Sequence, residues 1–140
     1  MVQDELYQIG EVAKRVVLSL RTVRYYEEVG LVIPASRSTG NFRLYDDDAI
    51  ERLLIIKQMK PLDFTLDEMR EVLDLRALIS SGPDGEQLRE AQERLGMYAT
   101  VADERCESLR AQLGIAEAFS RTLHDEVKRA DRLSDAPHPD

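Results

Sequence analysis

The sequence predicts a mainly α-helical chain: a winged helix-turn-helix head followed by a long dimerising coiled-coil helix. Three features carry that expectation. Two short amphipathic segments flank a turn near residues 17 and 18, an alternating stretch surrounds Ser-Thr-Gly-Asn at 38–41, and apolar residues recur every seven positions from Leu88 to Ala130. The expected units are a head over 1–80, a linker and coiled-coil helix over 81–130, and a disordered tail over 131–140.

The first helix follows a short extended piece at Tyr7, with Ile9, Val12, Ala13 and Val16 at helical spacing. Ser19 is placed to cap a second helix by accepting from the amide of residue 21 or 22. In that helix Leu20 and Val23 are expected to face inward while Arg21, Thr22 and Arg24 face out. Gly30 stands where the helix should stop, and VIPASRSTGNFRLY then reads as a small hairpin with Gly40 and Asn41 at its tip. Asp46, Asp47 and Asp48 open a third helix, where unpaired amides favour negative charge. Its expected buried side is Ile50, Leu53, Leu54, Ile56 and Met59. After a break at Pro61 to Phe64, Thr65 and Glu68 form a capping-box pattern for a fourth helix with Met69, Val72, Leu73 and Leu75 or Leu78 as core.

SSGPDG at 80–85 marks a linker, and from Gly85 to about Ala130 a single helix is expected. Leu88, Leu95, Ala102, Leu109, Ala116, Leu123 and Ala130 form one line of its heptad, with Ala99, Cys106, Leu113 and Val127 on the other. Gln92 and Ser120 interrupt the seam, and Gly96 and Gly114 weaken the helix by about 1 kcal/mol each relative to alanine. Such a helix would run about 70 Å at 1.5 Å per residue, too long to bury its stripe on the head. A second copy of the chain is the expected partner.

At 140 residues the chain suits one modest domain with an appendage. Its composition, 43% hydrophobic and 33% charged without tryptophan, and the lack of any apolar run near the roughly 18 residues of a membrane span predict a soluble protein without a membrane partner. MVQDELYQIG lacks the pattern of a secretory signal, so a cytoplasmic location is expected. The one cysteine excludes an intrachain disulfide framework and a multi-cysteine metal site. The formal net charge of −8 opposes a polyanionic partner, yet residues 12–45 hold six basic side chains (Lys14, Arg15, Arg21, Arg24, Arg37, Arg43) and two acidic ones (Glu27, Glu28). That local field suits phosphate.

The motifs IGEVAKR, RTVRYYEEVGL, FRLY and FTLDEM, in that order across residues 7–73, resemble the DNA-binding head of the MerR family of transcription regulators. The resemblance implies a homodimer joined by an antiparallel helix, double-stranded DNA as partner, and RNA polymerase as a further partner at the promoter. It implies that the second helix enters the major groove, with Arg21 and Thr22 at base edges and Arg24 on a base or phosphate. Tyr25 and Tyr26, about 100° apart on a helix, would divide between core and phosphate. The wing would bring Arg43 to the backbone or minor groove, supported by Phe42 and Tyr45, and Lys57 and Lys60 would supply a second backbone contact. Lys14, Arg15, Ser19 and Arg37 complete the expected DNA-binding set. A plain surface pairing of Arg24 with Glu27 or Glu28 stands beside these roles.

Three departures from the family pattern concern the backbone. Val17 stands where glycine is usual in the helix-turn-helix turn, implying a looser turn or one that avoids positive φ. Asn41 lengthens the wing tip, and Asp63 replaces a glycine before Phe-Thr. Metal-sensing relatives carry cysteines near the start and after the end of the dimer helix; this chain has Ser80 and Ser81 at the first place and none at the second, so no metal or other cofactor is expected. His124 and His138 lack ligand spacing. Cys106, near mid-seam, reads either as a redox-sensitive contact with its symmetry mate or as a small buried hydrophobe. The Asp46 to Asp48 cluster is explained by a helix start, so no enzyme is expected. An architectural DNA-binding protein or a coiled-coil adaptor is the alternative to a sequence-specific regulator.

Overall fold

The computed structural model describes residues 5–137. The chain comprises two units, one ending at Tyr98 and one beginning at Ala99. The first holds β1 (Tyr7–Gln8), α1 (Ile9–Val16), α2 (Leu20–Glu28), β2 (Ser36–Arg37), β3 (Arg43–Tyr45), α3 (Asp47–Met59), α4 (Leu66–Ser80) and the opening turns of α5 (Gly85–Ser134). The second holds the rest of α5.

Short strands suffice here because the sheet only fixes the wing. Its order is β1-β3-β2, all antiparallel, with Tyr7 opposite Tyr45 and Ser36 opposite Leu44. Val12 and Val16 of α1, Val23 of α2, Leu53 and Ile56 of α3 and Leu73 of α4 are buried together with Leu31 and Tyr45. Each helix therefore contributes residues at three- or four-residue spacing to one core.

The caps form where the sequence places them. Ser19 Oγ accepts from the Thr22 amide at 3.0 Å, and Asp46 Oδ1 from the Ala49 amide at 2.9 Å. Thr65 and Glu68 exchange both bonds of a capping box. The end of α2 has Gly30 at φ +79°, a left-handed conformation that glycine adopts without penalty.

The turn between α1 and α2 differs from expectation. Val17 does take positive φ, at +55°, although its branched side chain disfavours it. Lys57 of α3 holds the turn there: its Nζ donates to the Val16 carbonyl at 3.0 Å and reaches that of Val17 at 3.5 Å. Asp63 likewise sits at φ +58° and Asn41 at +64°, both in positions where a short polar side chain is tolerated. Two expected core residues face outward instead, Leu20 at 42% and Leu54 at 41% exposure. Leu20 is the first residue of α2, where half a turn of offset is enough to leave the core, and Ala49 takes the inward place at the start of α3.

α5 is continuous through Gly96 and Gly114 and runs to Ser134, beyond the expected end near 130. The expected tail thus contributes its first residues to the helix, while 138–140, including His138, lie outside the described residues. Asp84 accepts from the Gln87 amide at the start of α5. Ala91 is buried, and the Tyr98 hydroxyl and the Arg94 guanidinium both donate to Glu71 of α4. The Arg94 hydrogen bond, then that of Tyr98, lowers the Glu71 carboxyl below its usual range. Leu88, Leu109, Leu113, Leu123 and Val127 of the heptad are exposed.

Replacing Val17 by glycine should relieve the positive φ and raise stability by about 1 kcal/mol after glycine's own entropy loss. Calorimetry is expected to show Tm higher by about 4–8 °C. A lower Tm would mean that the isopropyl group contributes more by packing than the backbone loses.

Candidate nucleic-acid interface

α2 carries its polar side chains on a face opposite the buried Val23 and Tyr26. Arg21 and Arg24 are exposed and make no hydrogen bond or ion pair among the described residues. Tyr25 lies beside them at 44% exposure. The two tyrosines divide as their spacing requires: Tyr26 enters the core, and its ring stands 5.5 Å from that of Tyr25. Tyr26 is thus removed from the expected contact set. Ser19 Oγ and Thr22 Oγ1 are 2.8 Å apart, which ties both hydroxyls to the start of α2.

Glu27 joins this helix to the wing. Its Oε1 accepts from Arg43 Nε at 3.0 Å, and its Oε2 from Arg43 Nη1 at 3.2 Å and from the Tyr45 hydroxyl at 2.7 Å. Burial, then the bond to Glu27, raises the Tyr45 phenol well above its usual range. Tyr45 is fully buried, so it supports the wing from within and cannot itself touch DNA. The alternative surface pairing of Arg24 with Glu27 or Glu28 does not form among the described residues; Glu27 pairs with Arg43 of the wing instead.

At the tip, Arg37 Nη1 donates to the Asn41 carbonyl at 3.3 Å, and Phe42 is 65% exposed. Arg24, Arg37, Arg43, Phe42, Gln8 and Gly10 line a cleft of about 250 Å³ between α2, the wing and the start of α1. Three guanidinium groups around one open cleft make a field for anionic oxygen. Lys14 and Lys60 are exposed as well. Arg15 is bound by Glu11 at 3.0 Å and lies 4.3 Å over the Tyr7 ring, while the Tyr7 phenol, bonded to Glu5 and Asp47, is pushed up to about 12. Arg15 therefore has a structural partner, as does Lys57, whose ammonium sits on the α1 carbonyls and not outward beside Lys60. No three of His, Cys, Asp or Glu converge as metal ligands among the described residues.

Two cations were not legible in the sequence as parts of this region. Arg52 Nε donates to the Leu31 carbonyl at 2.9 Å, and Arg70 donates to those of Val29 at 2.6 Å and Gly30 at 3.2 Å. Gly30 announced the helix end, but no local signal names a donor 40 residues away.

Residues 7–75 match the family model described as MerR HTH family regulatory protein. HTH-type transcriptional regulator ZntR of Escherichia coli strain K12 is 31% identical over 131 residues, a match covering 94% of this chain and 80% of that one. The chain belongs to the MerR family. A ZntR homolog of Haemophilus influenzae is 40% identical over 68 residues, 49% of this chain and 50% of the relative, so this match spans about half of each. The crystal structure of HiNmlR, a MerR family regulator lacking the sensor domain, bound to promoter DNA, shares the fold at TM-score 0.69, with 16% identity over 95% of this chain and 98% of that one. DNA-binding transcription regulation is accordingly the function class of this MerR protein, and the relatives are regulators, not enzymes. Among the described residues no helix is long and apolar enough to cross a membrane.

Glu27→Ala should leave the buried Tyr45 hydroxyl without its acceptor and lower stability by about 1–3 kcal/mol in urea denaturation. Adding Tyr45→Phe should recover part of that loss. Strictly additive effects of the two substitutions would show that Glu27 does not satisfy Tyr45.

Proposed function

We propose that this MerR protein acts in the cytoplasm as a homodimer whose two heads read the halves of a palindromic promoter site. The observation that supports this reading most directly is the row of Arg21, Arg24 and Tyr25 on the open face of α2, beside a wing that carries Arg37, Phe42 and Arg43. α2 supplies side chains for the major groove: Arg21 for a base edge, Arg24 and Tyr25 for a base or phosphate. Lys14 and Lys60 add backbone contacts. Pairing runs through the heptad stripe of α5, with Leu88, Leu95, Ala99, Ala102, Cys106, Leu109, Leu113, Ala116 and Leu123 facing an antiparallel copy.

Holding two heads on one helix pair fixes the separation of the half-sites, so DNA of a different relaxed geometry must bend or twist to meet both. Phosphate contacts supply the energy for that distortion. The consequence is a promoter whose elements are brought into register for RNA polymerase, or closed to it, according to where the site lies.

Selection of genomic fragments by the purified protein at near-physiological salt should enrich one palindrome, and its position relative to the promoter hexamers gives the sign of regulation. Enrichment without a shared site would replace sequence-specific regulation by architectural binding. On the recovered site, Arg21→Ala should cost about 1–3 kcal/mol and relax preference at one position per half-site, whereas Arg24→Ala should lower affinity for all sequences and flatten the salt dependence. Unchanged binding by both variants would reject this docking of α2.

A further inference from the structure

The first residue of α2 is apolar, and the fold leaves it outside the core. Leu20 is 42% exposed, between the capping pair Ser19 and Thr22 on one side and the unpaired Arg21 on the other. It borders an open depression of about 580 Å³ lined by Gly10, Ala13, Lys14, Val17, Leu18 and Leu20. Val17 is 75% exposed on the same surface, fixed there by its left-handed backbone and by Lys57.

Side chains on a helix lean toward its N-terminus, so Leu20 projects over the tip of α2, the part of a recognition helix that meets base edges. The hydroxyls of Ser19 and Thr22 are joined to each other, and Ser19 Oγ also accepts from the Thr22 amide, so the pair is held at the start of α2 with one O–H left to donate. Beside that pair and Arg21, Leu20 is the apolar group exposed at the tip. Among the groups that base pairs show in the major groove, the apolar one is the C5-methyl of thymine. We propose that Leu20 determines specificity by packing on a thymine methyl in each half-site, next to the base pair read by Arg21. Lys14, on the rim of the same depression, supplies the charge that draws the adjoining phosphate. The occupant is DNA and not another protein because the patch is continuous with the exposed arginine face of α2 and carries a cation, not an acid, on its rim.

This inference rests on the docking of α2 proposed above. Its test uses the wild-type chain and the palindrome recovered by selection, with each thymine replaced in turn, symmetrically, by deoxyuridine. Removing one methyl per half-site should weaken binding by about fourfold per half-site at one position, the effect of losing one buried methyl group. Leu20→Ala should lose a similar factor on thymine DNA and show no further loss on uracil DNA at that position, while Leu20→Met retains the discrimination. Equal binding of thymine and uracil DNA at every position would overturn the methyl contact, and so would an undiminished uracil effect in Leu20→Ala. Either result leaves the Arg21 reading intact. A wild-type protein that selects no site would instead overturn the docking of α2, and Leu20's role with it.

Discussion

Cationic side chains from α3 and α4 bind the open carbonyl ends of α1 and α2, and the geometry of the head depends on these contacts. A helix leaves its last carbonyls without internal partners. In this head they fall within reach of side chains on α3 and α4. Lys57 takes those at the end of α1, and Arg70 and Arg52 take those at and after the end of α2. The positive charge also suits the negative end of each helix dipole. Because each donor belongs to a helix that is itself seated in the core, the angle between α1 and α2 is set from behind.

Glu27 does the equivalent work at the front. One carboxylate on α2 receives the wing's Arg43 and the buried hydroxyl of Tyr45, so the recognition helix and the wing form one body. The arrangement also constrains charge. Arg43 is partly neutralised by its partner, while Arg21 and Arg24 are not, and a phosphate meeting the head encounters its strongest unpaired field along α2. A chain with formal net charge −8 can thus present a basic face, because its acidic residues lie mostly outside residues 12–45, where only Glu27 and Glu28 are acidic.

Conformational strain is placed next to this interface. Val17 occupies the left-handed region in the turn that feeds α2, at a cost of the order of 1–2 kcal/mol. The Lys57 bonds and the buried neighbours Val16 and Val12 over-determine that turn. The outcome is an apolar surface beside Leu20 at the tip of the recognition helix, instead of the flush turn that glycine would make.

Elements with local physical causes were legible in the sequence. Ser19, Asp46 and the Thr65/Glu68 pair cap helices because a short polar side chain reaches amides two or three residues away, and Gly30 ends α2 because it tolerates positive φ. The hydrophobic spacing of α1 and the recurring MerR motifs fixed the kind of head and the expected role of α2. Partnerships across the chain were decided only by tertiary structure. Arg15, Lys57 and Tyr45 read in the sequence as surface contacts to DNA, yet one lies over Tyr7, one on the α1 carbonyls and one in the core on Glu27. Leu20 and Leu54 read as core by hydrophobicity, and packing turned them out. The sequence by itself determines what each residue can do within a helical turn of itself. Which charge meets which carbonyl, and which apolar face stays uncovered, is set when distant segments compete for the same small interior.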